Sequence, residues 1–471
     1  MLSLPSYIAG TAVITDRWID VFNPWNEEVV GRVATVERDH LEEAIQTHRA
    51  SHEPLTRYQR SRILNQVRDL LDARREDFAR LITSESGLCL RETRYEVGRA
   101  CDVFGFAAME ALRDDGQTFS CDISPTGKAR KIFTLREPLS LVAAITPFNH
   151  PLNQVAHKLA PAVAAGAPVL LKPSEKTPLS AVRLVELLYE AGLPGWMLSC
   201  VHGSLDGVTR PMIRDERVDL VTFTGSARVG KEIAATAGYK KTCLELGGHS
   251  PLIVLDDADL DLAAKLACEG CFRNSGQRCT AVRRILVQDG VVDEFTERFL
   301  ALAATYVCGD PADEAVLVGT VIDEPAALSL EQAIRDAVDR GAKLLYGGQR
   351  RRAQIEPTVL ADVPRSSTLG TCECFGPIAP IFPVRDLDDA IEYSNGTPYG
   401  LSSGIVTENL ELAIRAVKGI KAGTVNVNEI PGYRLELSPF GGIKDSGLGI
   451  KEGVIEAMKF MTTVKTFSLP W

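Results

Sequence analysis

Two side chains in this 471-residue chain could together turn a carbonyl into an acid. Cys279 lies in Asn274-Ser275-Gly276-Gln277-Arg278-Cys279-Thr280, and Glu245 lies 34 residues upstream in Leu244-Glu245-Leu246-Gly247-Gly248. A thiolate adds to a carbonyl carbon and, once a hydride has left, holds the acyl group as a thioester. A carboxylate within reach of a water can then hydrolyse that thioester as a general base. A free thiol near pKa ~8.5 is mostly protonated at neutral pH, so Cys279 needs a cation or a base nearby, and Arg278 is its neighbour in sequence.

Placing these groups requires a sizeable scaffold. At this length two or three domains are expected, because one hydrophobic core does not grow so large. Hydrophobic residues make up 45% and charged residues 24%, the balance of a globular enzyme, and no apolar run reaches the ~18–20 residues of a membrane span. A net charge of −10 argues against non-specific nucleic-acid binding. No secretory signal is visible from Met1 to Tyr7, so the eleven cysteines are expected reduced, in the cytoplasm. Cys268 and Cys271 form a C-x-x-C without a second pair, and they fall in an Ala/Leu-rich stretch that reads as a helix. They are expected to be buried, and no metal is expected.

From residue 140 onward short apolar runs alternate with helical patterns. Leu141–Ile145, Val169–Lys172, Leu198–Val201 and Leu220–Phe223 read as strands; 153–164, 179–190 and 227–237 read as helices. Strands apolar throughout suit a parallel sheet covered on both faces, the doubly wound nucleotide-binding arrangement. A second α/β series runs through Leu252–Leu255, Ile285–Val287, Lys343–Tyr346 and Gly423–Val427. Lys128–Leu135 reads as a hairpin arm, and Thr462–Ser468 is β-prone. No G-x-G-x-x-G follows a strand, but Phe223-Thr224-Gly225-Ser226 leads from strand to helix, where free N–H groups and the helix dipole can hold a phosphate.

The segments around Cys279 and Glu245, in this order and at this separation, resemble the nucleophile and general-base motifs of the NAD(P)-dependent aldehyde dehydrogenase superfamily. The resemblance covers essentially the whole chain. It implies an α/β fold with two doubly wound domains, for cofactor (1–118 and 139–247) and catalysis (248–445), plus a β oligomerisation arm and tail (119–138 and 458–471). A homodimer or homotetramer is implied with it.

By the same resemblance, Asn149 in Thr146-Pro147-Phe148-Asn149-His150-Pro151 is the oxyanion donor beside the Cys279 N–H. Losing such a donor typically costs ~3–4 kcal/mol in the transition state. Lys172, Ser174 and Glu175 resemble the segment that holds the adenosine ribose, where a carboxylate would repel a 2′-phosphate and favour NAD over NADP. Phe223, Thr224, Gly225 and Ser226 resemble the pyrophosphate turn; Thr146, Pro147, Phe148, Leu246 and Gly247 complete the cofactor wall. In Glu373-Cys374-Phe375-Gly376-Pro377, Glu373 corresponds to the carboxylate that takes the nicotinamide ribose and Phe375 packs by the ring. Cys372 departs from the pattern, standing where many relatives carry a second glutamate.

The substrate is suggested by cations near these motifs: Arg99, His150, Arg278 and Arg434. Arginine forks match phosphonate, sulfonate and phosphate oxygens, which points to a small anionic aldehyde. Glu96–Val103, Phe148–Asn153, Gly276–Val282 and Pro431–Trp471 resemble one subgroup, which oxidises phosphonoacetaldehyde to phosphonoacetate; there Arg99, His150, Arg278, Thr280 and Arg434 would hold the phosphonate. Rival substrates are sulfoacetaldehyde, glyceraldehyde 3-phosphate and succinic semialdehyde. A rival of another class is an NAD-binding scaffold protein that has lost the chemistry, against which the intact Cys279, Glu245 and Asn149 trio speaks.

Overall fold

The computed structural model describes residues 1–471. Seven strands build the first sheet: β1 (Ser6–Ile8), β2 (Thr11–Val13), β3 (Val142–Ile145), β4 (Val169–Lys172), β5 (Leu198–Cys200), β6 (Leu220–Thr224) and β7 (Lys241–Glu245). Their order is β7-β6-β3-β4-β5-β1-β2. The pairs from β7 to β5 are parallel, whereas β1 and β2 add antiparallel at the far edge. These two short N-terminal strands are absent from the sequence reading of a wholly parallel sheet. They cover an edge that would otherwise expose unpaired backbone.

The helices that position the site are α1 (Leu90–Glu110), α2 (Asn153–Ala165), α3 (Leu179–Glu190), α4 (Ala227–Ala237) and α5 (Leu260–Phe272). The uniform apolarity of the strands now has its cause. Val142 and Ala144 of β3 face one core with α2 and α3, while Ala143 and Ile145 face a second core with Ile233 and Ala237 of α4. A residue on either face is therefore buried, and each Leu or Val so placed contributes roughly 1.5–3 kcal/mol.

The second sheet contains β8 (Ser250–Val254), β9 (Val282–Gln288), β10 (Lys343–Tyr346), β11 (Thr358–Ala361), β12 (Ile378–Val384), β13 (Ser402–Val406) and β14 (Thr424–Val427). The order is β10-β11-β12-β9-β8-β13-β14, parallel except for β10. Leu344 and Leu345 on this antiparallel edge strand are exposed, so its apolar run does not mark an interior strand. Cys268 and Cys271 are buried in α5, and their thiols donate to the Phe299 and Val282 carbonyls.

The arm is a third sheet. Arg130–Pro138 pairs with Thr118–Ser120 on one side and with Thr462–Pro470 along its full length on the other. No helix is long and apolar enough to cross a membrane.

Candidate active site

Cys279 sits in the connection from α5 to β9, on a loop held in an uncommon backbone shape. Asn274, Ser275 and Gly276 have φ of 58°, 50° and 66°, and the first two lack the freedom of glycine. Contacts on every side hold this shape. A methyl on Gly276 would lie 2.1 Å from the Gly376 carbonyl oxygen. Arg283 donates to Gly376 O at 2.9 Å, Gly276 O at 2.6 Å and Arg278 O at 3.1 Å. Gln277 accepts from the Ile322 N–H at 2.9 Å. Asn149 donates to Gln277 O at 2.8 Å, while Asn274 donates back to Asn149 O at 3.0 Å. The Asn149 side chain makes that one bond only, and the Cys279 N–H donates to no protein acceptor. The second Asn149 amide N–H and the Cys279 N–H are thus both left without a protein acceptor. Burial pushes the Cys279 thiol up to about 11, opposed by Arg434 and, more weakly, Arg278.

Glu245 ends β7, is only 4% exposed, and neither carboxylate oxygen has a hydrogen-bond partner. Burial, and next the charge of Glu452, push its pKa well above the usual carboxylate range. Lys158 on α2 counters that push. It is itself fully buried and pairs with Glu452, which also accepts from Thr222 at 3.2 Å. A carboxylate whose pKa is raised binds a proton more strongly once ionised, which suits a general base. The Glu245 charge reaches Cys279, where it adds to the upward push on the thiol.

The cofactor candidates Thr146–Phe148, Lys172–Glu175 and Thr224–Ser226 lie at the carboxyl ends of β3, β4 and β6, the side on which open α/β sheets bind ligands, while Leu246 and Gly247 follow β7 and Glu373 and Phe375 precede β12. Thr146 Oγ1 and Thr224 Oγ1 are buried without a partner. Ser226 caps α4 by accepting from the Val229 N–H, and Phe223 folds under Gly225, where a methyl would lie 2.4 Å from its ring. A methyl on Gly230 would lie 2.4 Å from Leu246, so α4 packs tightly on the Glu245 turn. Lys172 Nζ is 3.6 Å from Glu175 and bonds the Pro173 carbonyl; Ser174 accepts from the Lys176 N–H. Glu373 accepts from the Gly248 N–H at 3.1 Å, and a methyl on Gly247 would lie 2.1 Å from its other oxygen. Phe375 meets Phe148 edge to face at 6.0 Å, with the Arg283 guanidinium over its ring. Orphaned hydroxyls at strand ends, a capped helix N-terminus and a half-bonded carboxylate together fit a dinucleotide.

The comparisons agree with this geometry. The aldehyde dehydrogenase family model matches residues 12–467. The chain belongs to the aldehyde dehydrogenase family. This aldehyde dehydrogenase is 37% identical over 457 residues to the 3-sulfolactaldehyde dehydrogenase of Priestia aryabhattai, covering 97% of this chain and 96% of that protein. Among solved structures it resembles aldehyde dehydrogenase 21 from Physcomitrella patens in complex with the product succinate (TM-score 0.95, 36% identity, 99% and 98% covered). It also resembles the NADP-dependent glyceraldehyde-3-phosphate dehydrogenase of Bacillus halodurans complexed with NADP (TM-score 0.95, 33% identity, 100% and 99% covered). The enzyme is therefore an oxidoreductase acting on an aldehyde with a nicotinamide dinucleotide.

Next to the thiol loop of this aldehyde dehydrogenase lies a cavity of ≈ 680 Å³ whose lining includes Arg99, Arg278 and Arg434. Arg99 bonds Glu436 through Nε and leaves both Nη groups without a protein acceptor. Arg434 lies with its guanidinium 4.0 Å from the Phe440 ring centre and makes no hydrogen bond, its nearest carboxylate being Glu436 at 3.8 Å. Arg278 donates to the Glu269 and Gly270 carbonyls at 3.0 and 3.3 Å, and its buried Nε has no partner. Burial lowers the Arg278 pKa to about 10, which keeps it cationic at neutral pH. Thr280 abuts Gly432 of the cavity wall, where a methyl would lie 2.5 Å from its hydroxyl.

His150 does not act as the cation that its place in the sequence suggested. It is buried against Glu96 at 3.7 Å, and burial lowers its pKa, leaving a neutral ring at neutral pH. Glu96 in turn accepts from the Leu152 and Asn153 N–H groups at the start of α2, each at 2.9 Å. Five further residues went unread in the sequence: Arg283, His157, Lys158, Glu436 and Glu452. The one local signal was a His-Lys pair inside the otherwise apolar stretch 155–165 of α2.

Proposed function

We propose that this aldehyde dehydrogenase oxidises a small anionic aldehyde, phosphonoacetaldehyde first among them, to the acid with NAD and water. One observation supports the reading: Arg99, Arg434 and Arg278, each with guanidinium donors that meet no protein acceptor, line a single cavity, and Arg278 directly precedes Cys279. A phosphonate oxygen set accepts from guanidinium forks in pairs, which a neutral aldehyde cannot do. Thr280 and neutral His150 add hydrogen-bonding groups at its edge.

In this reading Cys279 attacks the aldehyde carbon, and the Asn149 amide with the Cys279 N–H receives the oxyanion. Thr146, Pro147, Phe148, Phe223–Ser226, Leu246, Gly247, Glu373 and Phe375 would hold the dinucleotide. The nicotinamide, when bound, supplies a hydride acceptor. Glu245 then takes a proton from the water that attacks the Cys279 thioester, releasing phosphonoacetate. Glu175, half exposed and paired with Lys172, favours a ribose with a free 2′-hydroxyl, hence NAD over NADP.

The arm presents Phe467, Leu469 and Trp471 to solvent, an apolar face suited to a second copy, so we read the enzyme as a homodimer or homotetramer. Eleven unpaired thiols suit a reducing, cytoplasmic setting. A sulfonated aldehyde is the second reading, favoured by the likeness to the Priestia 3-sulfolactaldehyde dehydrogenase. The test is kcat/KM for phosphonoacetaldehyde, sulfoacetaldehyde, glyceraldehyde 3-phosphate, succinic semialdehyde and propionaldehyde, followed by NADH absorbance. The anionic aldehydes are expected to exceed propionaldehyde, with phosphonoacetaldehyde highest. A preference for propionaldehyde rejects the reading.

A further inference from the structure

Arg99 reaches the cavity from α1, a helix whose own carboxylates do not hold its guanidinium. Its one hydrogen-bond partner is Glu436, 337 positions away in sequence and 5% exposed. The carboxylate is bonded on both sides: Oε1 accepts from Arg99 Nε, and Oε2 accepts from His157 Nε2 of α2, itself buried. The backbone beneath is also tied, because the Glu436 carbonyl accepts from the Val454 N–H at 3.1 Å.

We propose that Glu436, braced by His157, is the positioning residue that makes this cavity selective for anions. A carboxylate beside an anion site would first be expected to repel the ligand. The geometry decides otherwise. Glu436 bonds only the Nε of Arg99, so the two Nη groups meet no protein acceptor, and Arg99 lines the cavity. A guanidinium without such a tether has four rotatable side-chain torsions to order on binding, and that entropy would be charged against every substrate. Arg434, 3.8 Å from the same carboxylate, is drawn to the same corner, so one buried anion gathers two cations that would otherwise repel. The lining carries six arginines (Arg75, Arg94, Arg99, Arg273, Arg278 and Arg434) against four carboxylates (Asp102, Glu269, Glu429 and Glu436), which leaves the cavity positive. The net positive charge and the fixed fork then belong to the substrate's acid group.

This inference rests on the anionic-aldehyde reading, and the experiment separates the two. The full-length enzyme with NAD is assayed on phosphonoacetaldehyde and propionaldehyde as wild type, Glu436→Ala, Glu436→Gln, Glu436→Asp and Arg99→Ala. The readout is the ratio of kcat/KM for the anionic over the neutral aldehyde, with KM and kcat resolved for each. Glu436→Ala is expected to lower the ratio at least about tenfold, through KM of the anionic aldehyde. Glu436→Gln, which keeps the length and an acceptor for Nε but not the charge that draws Arg434, is expected to lower the ratio less than Glu436→Ala does. Glu436→Asp keeps the charge but falls one methylene short of bridging Arg99 and His157, and is expected to lose the ratio about fivefold.

Equal losses on both aldehydes in Glu436→Ala, or a wild-type ratio in Glu436→Asp, would overturn the positioning role. A ratio that collapses in Arg99→Ala yet survives in Glu436→Ala removes Glu436 and keeps the anion site. A ratio untouched by Arg99→Ala removes the anion reading itself. If Glu436→Ala does not fold, the Gln and Asp pair still decides the matter.

Discussion

Gly441 and Glu245 stand so close that a methyl carbon on Gly441 would lie 2.6 Å from Glu245 Oε1. Gly441 also has a φ of +154°, which glycine adopts freely. The carboxylate is thereby confined without being hydrogen-bonded, as a base needs to be if it is to find a water rather than a protein donor. Glu245→Gln should preserve acylation and block hydrolysis. Stopped-flow traces are expected to show a burst of NADH of about one per site, followed by a steady rate lowered ~10²–10⁴-fold. Gly441→Ala should push the carboxylate aside and lower the same steady phase. An undiminished steady rate in Glu245→Gln would take the base role from this residue.

The state of the nucleophile can be read from its pH response. Burial holds the Cys279 thiol up to about 11 in the enzyme alone, so its reactive thiolate is a small fraction at neutral pH. Since the pKa is raised, the thiolate fraction grows with rising pH. Alkylation of Cys279 by iodoacetamide, followed by peptide mass mapping to separate it from exposed Cys372, should accelerate about tenfold per pH unit from pH 7 to 9. A rate already level by pH 7.5 would mean that Arg434 and Arg278 outweigh burial.

What could be read from the chain itself was whatever is contiguous in it. The strands β3, β4 and β6 were legible because both of their faces are buried, so every residue is apolar. Cys279 and Glu245 were legible because each lies in an unbroken motif. The edge strands β1 and β2 escaped notice because three residues carry no period, and the antiparallel direction of β10 could not be read because an apolar run does not report strand direction. The electrostatics were the hardest part. The four cations near the motifs could be listed from sequence, but not the carboxylates opposite them: Glu436 meets Arg99 across 337 positions, and Glu452 meets Lys158 across 294. His150 was counted as a charge because sequence position does not reveal the burial that keeps its ring neutral.

Lys158 provides the last prediction, because it is fully buried and its charge is matched by Glu452 alone. Desolvating the two ions costs several kcal/mol each, and only their mutual attraction, with the Thr222 hydroxyl on Glu452, offsets that cost. Removing one partner leaves the other charged in a dry site beside Glu245, whose own burial already disfavours a second negative charge. Lys158→Met should therefore destabilise the fold by about 3–5 kcal/mol. Burial alone would raise the Glu452 pKa, yet the Lys158 ammonium holds it below the ordinary value. A depressed carboxylate pKa contributes stability above its unfolded value and loses it as pH falls through the folded one. The gap between wild type and Lys158→Met should accordingly narrow on acidification. Adding Glu452→Leu to Lys158→Met removes the orphaned charge and is expected to recover most of the melting temperature. Melting curves for the two single variants and the double variant, at neutral and acidic pH, measure the coupling directly. Additive losses, with no recovery in the double variant, would mean that the pair contributes packing rather than charge compensation.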